Sequence, residues 1–220
     1  MLDFLQMLVS GIAVGSSYAL MGMAMVLIYK TSEVPNFAQG EMGLVTAFFA
    51  FMLLDGYGLS LAVTIPLTLV VAFLLGAFLE FAVLRRAKTP SILSMIVITI
   101  GLEMVLLGLV SWKFGADQKT LPFPISPYDS VALGEIYISG LELLTLGIAL
   151  ALMVALFIFL RTTRLGMAMK ATQQNVDAAK LMGIRTNRIM MFTWGISSMV
   201  GCIAALLISP TIMHPYMMWD

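Results

Sequence analysis

Six long runs of apolar residues dominate this sequence and restrict how it can fold. The hydrocarbon core of a bilayer is about 30 Å thick, and about 20 helical residues cross it. The runs cover Leu8–Tyr29, Met42–Leu54, Leu59–Leu84, Ile92–Ser111, Leu141–Leu160 and Ile189–Ser209. Only 11% of the 220 residues are charged, which is too few to coat the core of a soluble domain. The sequence therefore predicts an all-α integral membrane protein, a polytopic helical bundle of about six spans.

Basic residues are distributed unevenly among the segments that join these runs. Lys and Arg concentrate in the cytoplasmic loops of membrane proteins. If the cluster at 85–88 is cytoplasmic, ten of the twelve basic residues lie inside: Lys30, Arg85, Arg86, Lys88, Arg161, Arg164, Lys170, Lys180, Arg185 and Arg188. Only Lys113 and Lys119 then lie outside. This distribution predicts an external N-terminus, an external loop over 112–140 and a cytoplasmic segment over 161–188, within one domain over 1–220.

The chain lacks the common motifs of enzymes and of nucleotide-binding proteins. It contains no G-x-x-x-x-G-K-[ST] phosphate loop, no H-E-x-x-H and no G-x-S-x-G, and these motifs supply a nucleotide site, a zinc site and a nucleophilic serine respectively. The chain has one His and one Cys, and its net charge is zero. We therefore predict no catalytic residue, no metal site and no nucleic-acid partner. The chain is not expected to be an enzyme.

The short segment between the first two runs is more polar than a simple turn requires. Asn36, Gln39 and Glu41 lie beside an apolar helix, and Pro35 and Gly40 bracket them. Such a segment is typical of a broken helix that lines a transport pathway, because unwound backbone is tolerated in a membrane only where it lines protein or water. The alternative is a cytoplasmic turn in which Asn36 caps the next helix. The residues alone leave both interpretations open.

The segment over 161–188 contains a short basic helix. Helical character runs from Lys170 to Met182, and Gly183 is expected to end it. A positively charged helix between two spans on the inside face suits a docking element for a cytoplasmic partner. The alternative is a helix lying on anionic lipid, although Ala residues and one Leu give a small apolar face for that purpose.

Two further features of the spans bear on packing and transport. Glu103 lies in the middle of the fourth run, where an ionised carboxylate costs at least roughly 2.5–3.5 kcal/mol. It therefore faces the bundle interior, binds a partner or is neutral, and it is a candidate for ion coupling as well as for a structural role. In the first run, Gly11, Gly15 and Ala19 form a stripe of small residues that permits close approach of another helix.

Two stretches of the sequence resemble a known family. The first consists of Gly15-x-x-Tyr18-Ala19-Leu20, then Leu27-Ile28-Tyr29, then Asn36-Phe37-Ala38-Gln39-Gly40-Glu41. It is similar to the N-terminal signature of branched-chain amino acid transport permeases, which are membrane subunits of ATP-binding-cassette importers. The inside segment resembles the coupling region of the same family, through Gly166, Lys170-Ala171, Asn175, Ala178-Ala179, Leu181 and Gly183-Ile184.

The sequence departs from the family pattern in two respects. Gln39 stands where members often have His. Members also usually continue beyond residue 220 with further spans, so we expect the domain to be incomplete at its C-terminus.

The resemblance implies a permease for branched-chain amino acids or related small amides in a bacterial or archaeal plasma membrane. It also implies two cytoplasmic ATPase subunits that hydrolyse the ATP, a second similar permease subunit and an extracytoplasmic substrate-binding protein, with no cofactor in this chain. Alternatives are an ion-coupled secondary transporter and a non-transporting fragment or scaffold. The expected pathway residues are Tyr18, Asn36, Gln39, Glu41 and Glu103. The expected ATPase-docking residues are Lys170, Ala171, Asn175, Ala178, Ala179, Leu181 and Gly183.

Overall fold

The computed structural model describes residues 2–87, 91–115, 117, 119–122, 130–133, 136–211 and 213–215. The elements in chain order are α1 (Leu2–Ser32), α2 (Gln39–Phe51) with a π-helical turn (Met52–Gly56), α3 (Leu61–Ala82) with a 3-10 turn (Leu84–Arg86), α4 (Ile92–Phe114), β1 (Ser130–Leu133), β2 (Ile136–Ser139), α5 (Gly140–Thr162), α6 (Arg164–Gln174), α7 (Val176–Leu181) and α8 (Thr186–Ile208). Over these residues the protein is all-α apart from one short hairpin, as expected of a helical membrane protein.

Each of the six apolar runs forms a helix, but the helices differ in length. Among the described residues, five are long and apolar enough to cross a membrane, namely Gln6–Ser32, Leu61–Arg86, Ile92–Phe114, Gly140–Thr162 and Thr186–Ile208. The second run forms α2 and its π-helical turn, which are shorter than a full crossing. The number of spans and the side of the N-terminus remain predictions.

The predicted external loop over 112–140 has more structure than its prolines suggested. Helix α4 continues to Phe114, so the loop begins later than expected. Its last part forms an antiparallel hairpin, with Ser130 opposite Ser139 and Leu133 opposite Ile136. Residues 116, 118, 123–129 and 134–135 of this loop lie outside the described part of the chain. Residues 212 and 216–220 at the end of the sequence lie outside it as well.

Helix α8 is the central element of the bundle. It packs against α1, α2 and α3, while α5 packs on α1 and α4 packs on α2. Its sequence explains this position, because Gly195, Ser197, Ser198 and Gly201 present small side chains along a long stretch of one helix. Small residues let helices approach closely in a bilayer, where lipid supplies no hydrophobic drive between them. By contrast, the small stripe predicted in α1 lies on an exposed face that no described helix covers.

Small residues also produce a very close contact between α3 and α8. A methyl group at Gly76 would collide with the backbone carbonyl oxygen of Trp194 and would lie 2.8 Å from the Cβ atom of Ser198. One turn away, a Cβ atom at Gly195 would lie 2.6 Å from the ring of Phe73. The two helices therefore depend on glycine at both positions.

We predict that Gly76→Ala lowers the stability of the bundle, since α3 and α8 must move apart to admit the methyl group. Overpacking of this kind costs about 1–3 kcal/mol, which corresponds to a fall of about 3–10 °C in the melting temperature of a chain of this size. The single cysteine, Cys202, is buried, so its reaction with a thiol-specific dye during heating reports unfolding. Gly108→Ala in α4 is the control, because a Cβ atom there meets nothing within 4 Å; an equal loss in both variants would contradict the prediction.

Candidate functional site

The chain between α1 and α2 leaves the helical path and returns to the interior of the bundle. After Ser32, Glu33 adopts a positive φ of 58°, and α2 begins at Gln39. The Nε2 atom of Gln39 donates to the backbone carbonyl of Ser197 at 3.2 Å. Ser197 lies eleven residues after the first residue of α8, which is about 16 Å along the helix axis. Helix α2 therefore starts near the middle of α8. The predicted break is present over residues 33–38, which include Pro35, whereas Gly40 already lies in α2.

A buried network of hydrogen bonds holds the start of α2 in place. Asn36 Nδ2 donates to Gln39 Oε1 at 3.2 Å. Ser197 Oγ lies 2.6 Å from the carbonyl oxygen of Ala24 in α1, to which it donates, and 3.2 Å from Gln39 Oε1. Gln39, Asn36 and Ser197 are all buried. The network thus joins α1, α2 and α8 at one depth, where buried polar groups require partners.

Gly201 is the reason why the Gln39 side chain can occupy this position. A Cβ atom at Gly201 would collide with Nε2 of Gln39. Gly43, one turn into α2, faces the same helix, since a Cβ atom there would lie 3.0 Å from the carbonyl oxygen of Gly201. Sequence reasoning missed both Ser197 and Gly201, although the small-residue pattern of α8 was the signal that could have pointed to them.

Asn36 does not cap α2, so that interpretation of the residue is wrong. The N-cap of α2 is Ala38, which makes no side-chain hydrogen bond to the helix. Instead, Asn36 Nδ2 contacts Gln39 Oε1 and, at 3.3 Å, the sulfur of Met42. Asn36 Oδ1 is buried and accepts no hydrogen bond within the described part of the protein. A buried acceptor without a donor carries a desolvation cost, which a polar ligand would relieve.

The five residues predicted to line a pathway lie around one cavity of about 410 Å³. It is bounded by α1, by the break with the start of α2, and by α4. Its lining consists of Tyr18, Met21, Gly22, Met25, Asn36, Phe37, Gln39, Gly40, Glu41 and Glu103. Glu41 is buried, Glu103 is half-buried, and Tyr18 is 52% exposed. The structure therefore brings the predicted residues together, whereas a transport role for them remains a prediction.

The cavity has a positive helix end, carboxyl groups and an apolar wall. The start of α2 faces it with Gly40, and the N-terminal end of a helix carries the positive end of the helix dipole. The carboxyl groups of Glu41 and Glu103 come from two different helices. Met21, Met25 and Phe37 provide apolar surface. Such an arrangement suits a small molecule that carries both charges and an apolar side chain.

The predicted docking segment forms two helices where a single one was expected. Asn175 separates α6 from α7, because its Oδ1 accepts hydrogen bonds from the backbone N–H groups of Asp177 and Ala178 at 3.0 and 2.9 Å. Gly183, with φ +82°, follows the end of α7, as its sequence position predicted. The sequence analysis did not predict this break, because it placed Asn175 inside one helix over 170–182.

The predicted docking residues differ in their exposure. Lys170, Asn175, Ala178, Leu181 and Gly183 are exposed, and Ala171 is half-buried. Ala179 is buried within this chain, so it supports α7 from beneath and does not offer its side chain to a partner. Leu181 and the neighbouring Met182 are 90% and 83% exposed. The tip of α7 therefore presents two apolar side chains beside cationic ones.

Among the described residues, no group of three His, Cys, Asp or Glu side chains could hold a metal ion. Two further acidic residues, which lie near helix ends, have local partners. Glu80 makes a bidentate ion pair with Arg85, and Glu142 completes the capping box of α5 by accepting from the backbone N–H of Ser139 at 3.0 Å.

Comparison with known proteins places the chain in a family. The profile described as branched-chain amino acid transport system, permease component, matches residues 7–217. The high-affinity branched-chain amino acid transport system permease protein BraD of Pseudomonas aeruginosa is 26% identical over 216 residues, which cover 93% of this chain and 70% of BraD. The corresponding protein LivH of Escherichia coli is 26% identical over 98% of this chain and 74% of LivH.

An archaeal relative, the probable branched-chain amino acid transport permease protein LivH of Methanocaldococcus jannaschii, is 26% identical over 84% of this chain and 60% of its own length. No solved structure matches the chain significantly. Because the family profile covers nearly the whole sequence, this chain belongs to the branched-chain amino acid transport system permease family and is a multi-pass membrane component of a transporter.

Proposed function

We propose that this chain is the permease subunit of an ATP-driven importer for branched-chain amino acids, and that the 410 Å³ cavity is part of the route. The observation that carries the proposal is the convergence of Tyr18, Asn36, Gln39, Glu41 and Glu103 on that one cavity at the start of a half-length helix. Broken helices near the bilayer midplane bind substrate in many transporters. The names of BraD and LivH supply the substrate class.

The chemistry of the cavity favours an amino acid over a small amide. The carboxylate of an amino acid is attracted to the N-terminal end of α2, where Ala38 offers no side-chain cap. Its ammonium group is attracted to Glu41 and donates to the unpartnered Oδ1 of Asn36. The branched side chain then lies against Met21, Met25 and Phe37. A neutral amide carries neither the carboxylate that the end of α2 attracts nor the ammonium group that a carboxyl group attracts, so it matches fewer of these groups.

In this proposal, energy comes from outside the chain. The exposed tip of α7, with Leu181 and Met182, inserts into a cytoplasmic ATPase, and the cations Lys170 and Lys180 steer the encounter. Two ATPase subunits, a second similar permease and an extracytoplasmic binding protein complete the importer, in the plasma membrane of a bacterium or an archaeon. No cofactor is bound by this chain. The exposed face of α1 with Gly11, Gly15 and Ala19 offers the second permease a surface for close packing.

We predict that Glu41→Gln lowers leucine uptake by at least about tenfold, which corresponds to losing roughly 1.4 kcal/mol of charge interaction with the ammonium group. The measurement is ATP-dependent uptake of labelled leucine into vesicles that contain the assembled importer. Glu33→Gln is the matched control, because Glu33 belongs to the same break, is exposed and does not line the cavity. Equal uptake by the Glu41 variant and the control would contradict the assigned route.

A variant of Glu103 distinguishes the ATP-driven importer from the second candidate function, an ion-coupled transporter. The carboxyl group of Glu103 lines the same cavity and is the group that would bind the coupling ion. We predict that Glu103→Gln lowers ATP-driven uptake by less than about threefold, or under roughly 0.7 kcal/mol, since a glutamine still accepts a hydrogen bond. Vesicles with and without an ionophore provide the comparison. Complete loss of uptake in a normally folded variant, or uptake that an ionophore abolishes in the presence of ATP, would favour ion coupling.

The docking role of α7 is tested at its tip. We predict that Leu181→Asp prevents the ATPase subunits from co-purifying with the permease, because a carboxylate cannot enter an apolar socket without a large desolvation cost. Leu181→Met is the conservative control and should retain the ATPase. Since Leu181 is 90% exposed, the unfolding temperature reported by Cys202 should not change. Normal co-purification and normal ATP hydrolysis in the Leu181→Asp complex would refute this role.

A further inference from the structure

A second cavity, separate from the transport cavity, opens between the end of α3, the end of α7 and the start of α8. Its volume is about 470 Å³, and it is lined by Arg85, Lys180, Ile184, Arg185, Thr186, Asn187 and Arg188. Four of these seven residues are cations, and no acidic residue belongs to the lining. The cavity lies at the end of the bundle that carries most of the basic residues.

The charges of this cavity are only partly neutralised. Arg85 makes a bidentate ion pair with Glu80 at 3.2 and 2.6 Å, and Lys180 pairs with Asp177 at 3.1 Å. Arg185 and Arg188 make no ion pair with any described residue. The cavity therefore keeps an excess of two positive charges over its paired acids.

The backbone adds to this positive potential. Arg185 is the N-cap of α8 and makes no side-chain hydrogen bond to the helix. The N-terminal end of α8, with its dipole, therefore faces the same space as the guanidinium groups. Arg85 Nη2 also donates to the backbone carbonyl of Asn187 at 2.9 Å. That contact ties the end of α3 to the start of α8 and fixes the rim of the cavity.

An apolar stripe on α3 leads directly to the cavity. Residues at helical spacing form one exposed face of this helix along its whole length: Val63, Leu67, Val70, Leu74, Phe78 and Phe81. One turn beyond the stripe, the guanidinium groups of Arg85 and Arg86 lie 5.2 and 5.7 Å from the centre of the Phe81 ring. A membrane-spanning apolar track thus ends in a basic cavity at the interface.

From this juxtaposition we infer that the cavity formed by Arg85, Lys180, Arg185 and Arg188 binds the phosphate headgroup of an anionic phospholipid, whose acyl chains lie along the exposed face of α3. Basic cavities between membrane helices on the cytoplasmic side are suited to anionic headgroups. A soluble phosphate would use the same cations but would have no use for the apolar track. An acidic protein surface would likewise leave the track uncovered. The lipid is the occupant that matches both features.

The site has a consequence for the importer, because the cavity is built on the α7–α8 junction. A bound headgroup would bridge α3 to this junction through Arg85 on one side and Arg185 and Arg188 on the other. The lipid would thereby stiffen the connection between the proposed docking helix and the central helix. This inference concerns a site outside the transport cavity, so it stands or fails separately from the proposed substrate.

The test is native mass spectrometry of the full chain, released from detergent after titration with phosphatidylglycerol or with phosphatidylcholine of the same acyl chains. We expect phosphatidylglycerol to bind at least about tenfold more tightly than phosphatidylcholine. The double variant Arg185→Gln/Arg188→Gln should lower the affinity for phosphatidylglycerol at least about tenfold, as expected for the loss of two cations near a headgroup. Arg185→Lys/Arg188→Lys keeps the charge and should retain most of the binding. Arg161→Gln/Arg164→Gln is the matched control, since it removes the same charge from exposed residues that do not line the cavity.

Any one of the following three results would overturn the inference. Equal binding of the two lipids, or an equal loss in the Arg161/Arg164 control, would mean that the cavity has no selectivity for an anionic headgroup. Displacement of the lipid by excess glycerol 3-phosphate would identify a soluble phosphate as the ligand. Complete expulsion of the lipid when ATPase subunits bind would assign the cavity to the protein interface.

Discussion

The start of α2 inside the bundle is the constraint on which the other features of this protein depend. A helix that begins at half depth leaves backbone N–H groups and the carbonyls of the preceding break in an apolar medium, where unsatisfied polar groups are costly. Part of this requirement is met locally, since the backbone N–H of Gln39 donates to the carbonyl of Asn36 and the hydroxyl of Thr99 donates to the carbonyl of Pro35. The Gln39 side chain then ties the start of α2 to the carbonyl of Ser197 in α8. The absence of a side chain at Gly201 makes room for Gln39. The same break that needs this support also creates the cavity between α1, α2 and α4.

Much of this architecture was predictable because its signals are local. Apolar runs set the helices, Pro35 and Gly40 marked the break, and Gly183 marked the end of α7. Asn36, Gln39 and Glu41 were recognisable because polar residues are rare beside membrane helices. Tyr18 belongs to the signature that carries the family resemblance, and Glu103 stood out as a carboxyl group in the middle of an apolar run. The structure supplied the cavity that these residues share.

The parts that could not be predicted depend on which helix faces which. The stripe of Gly11, Gly15 and Ala19 was conspicuous, yet the close packing within this chain uses Gly76, Gly195 and Gly201. Both patterns permit close approach, and a single sequence does not say which one meets a helix of the same subunit. The cap assigned to Asn36 failed for a related reason. The Asn36 side chain has the chemistry of a helix cap, but it contacts Gln39 and Met42 instead. The positions of these two residues depend on α8.

Helix α8 connects the parts of the structure for which roles are proposed. Its first turn borders the basic cavity, its start follows α7 after Gly183, and its middle holds Gln39 through Ser197. The backbone hydrogen bonds of a helix join each turn to the next, so a displacement at the start of α8 would be passed along the helix to its middle. The distance from Thr186 to Ser197 is about 16 Å. A shift imposed on α7 by an ATPase would therefore move the polar network and, with it, the start of α2. The start of α2 would follow α8 because the Gln39 side chain donates to the carbonyl of Ser197, whereas the rest of α2 is also packed against α3 and α4.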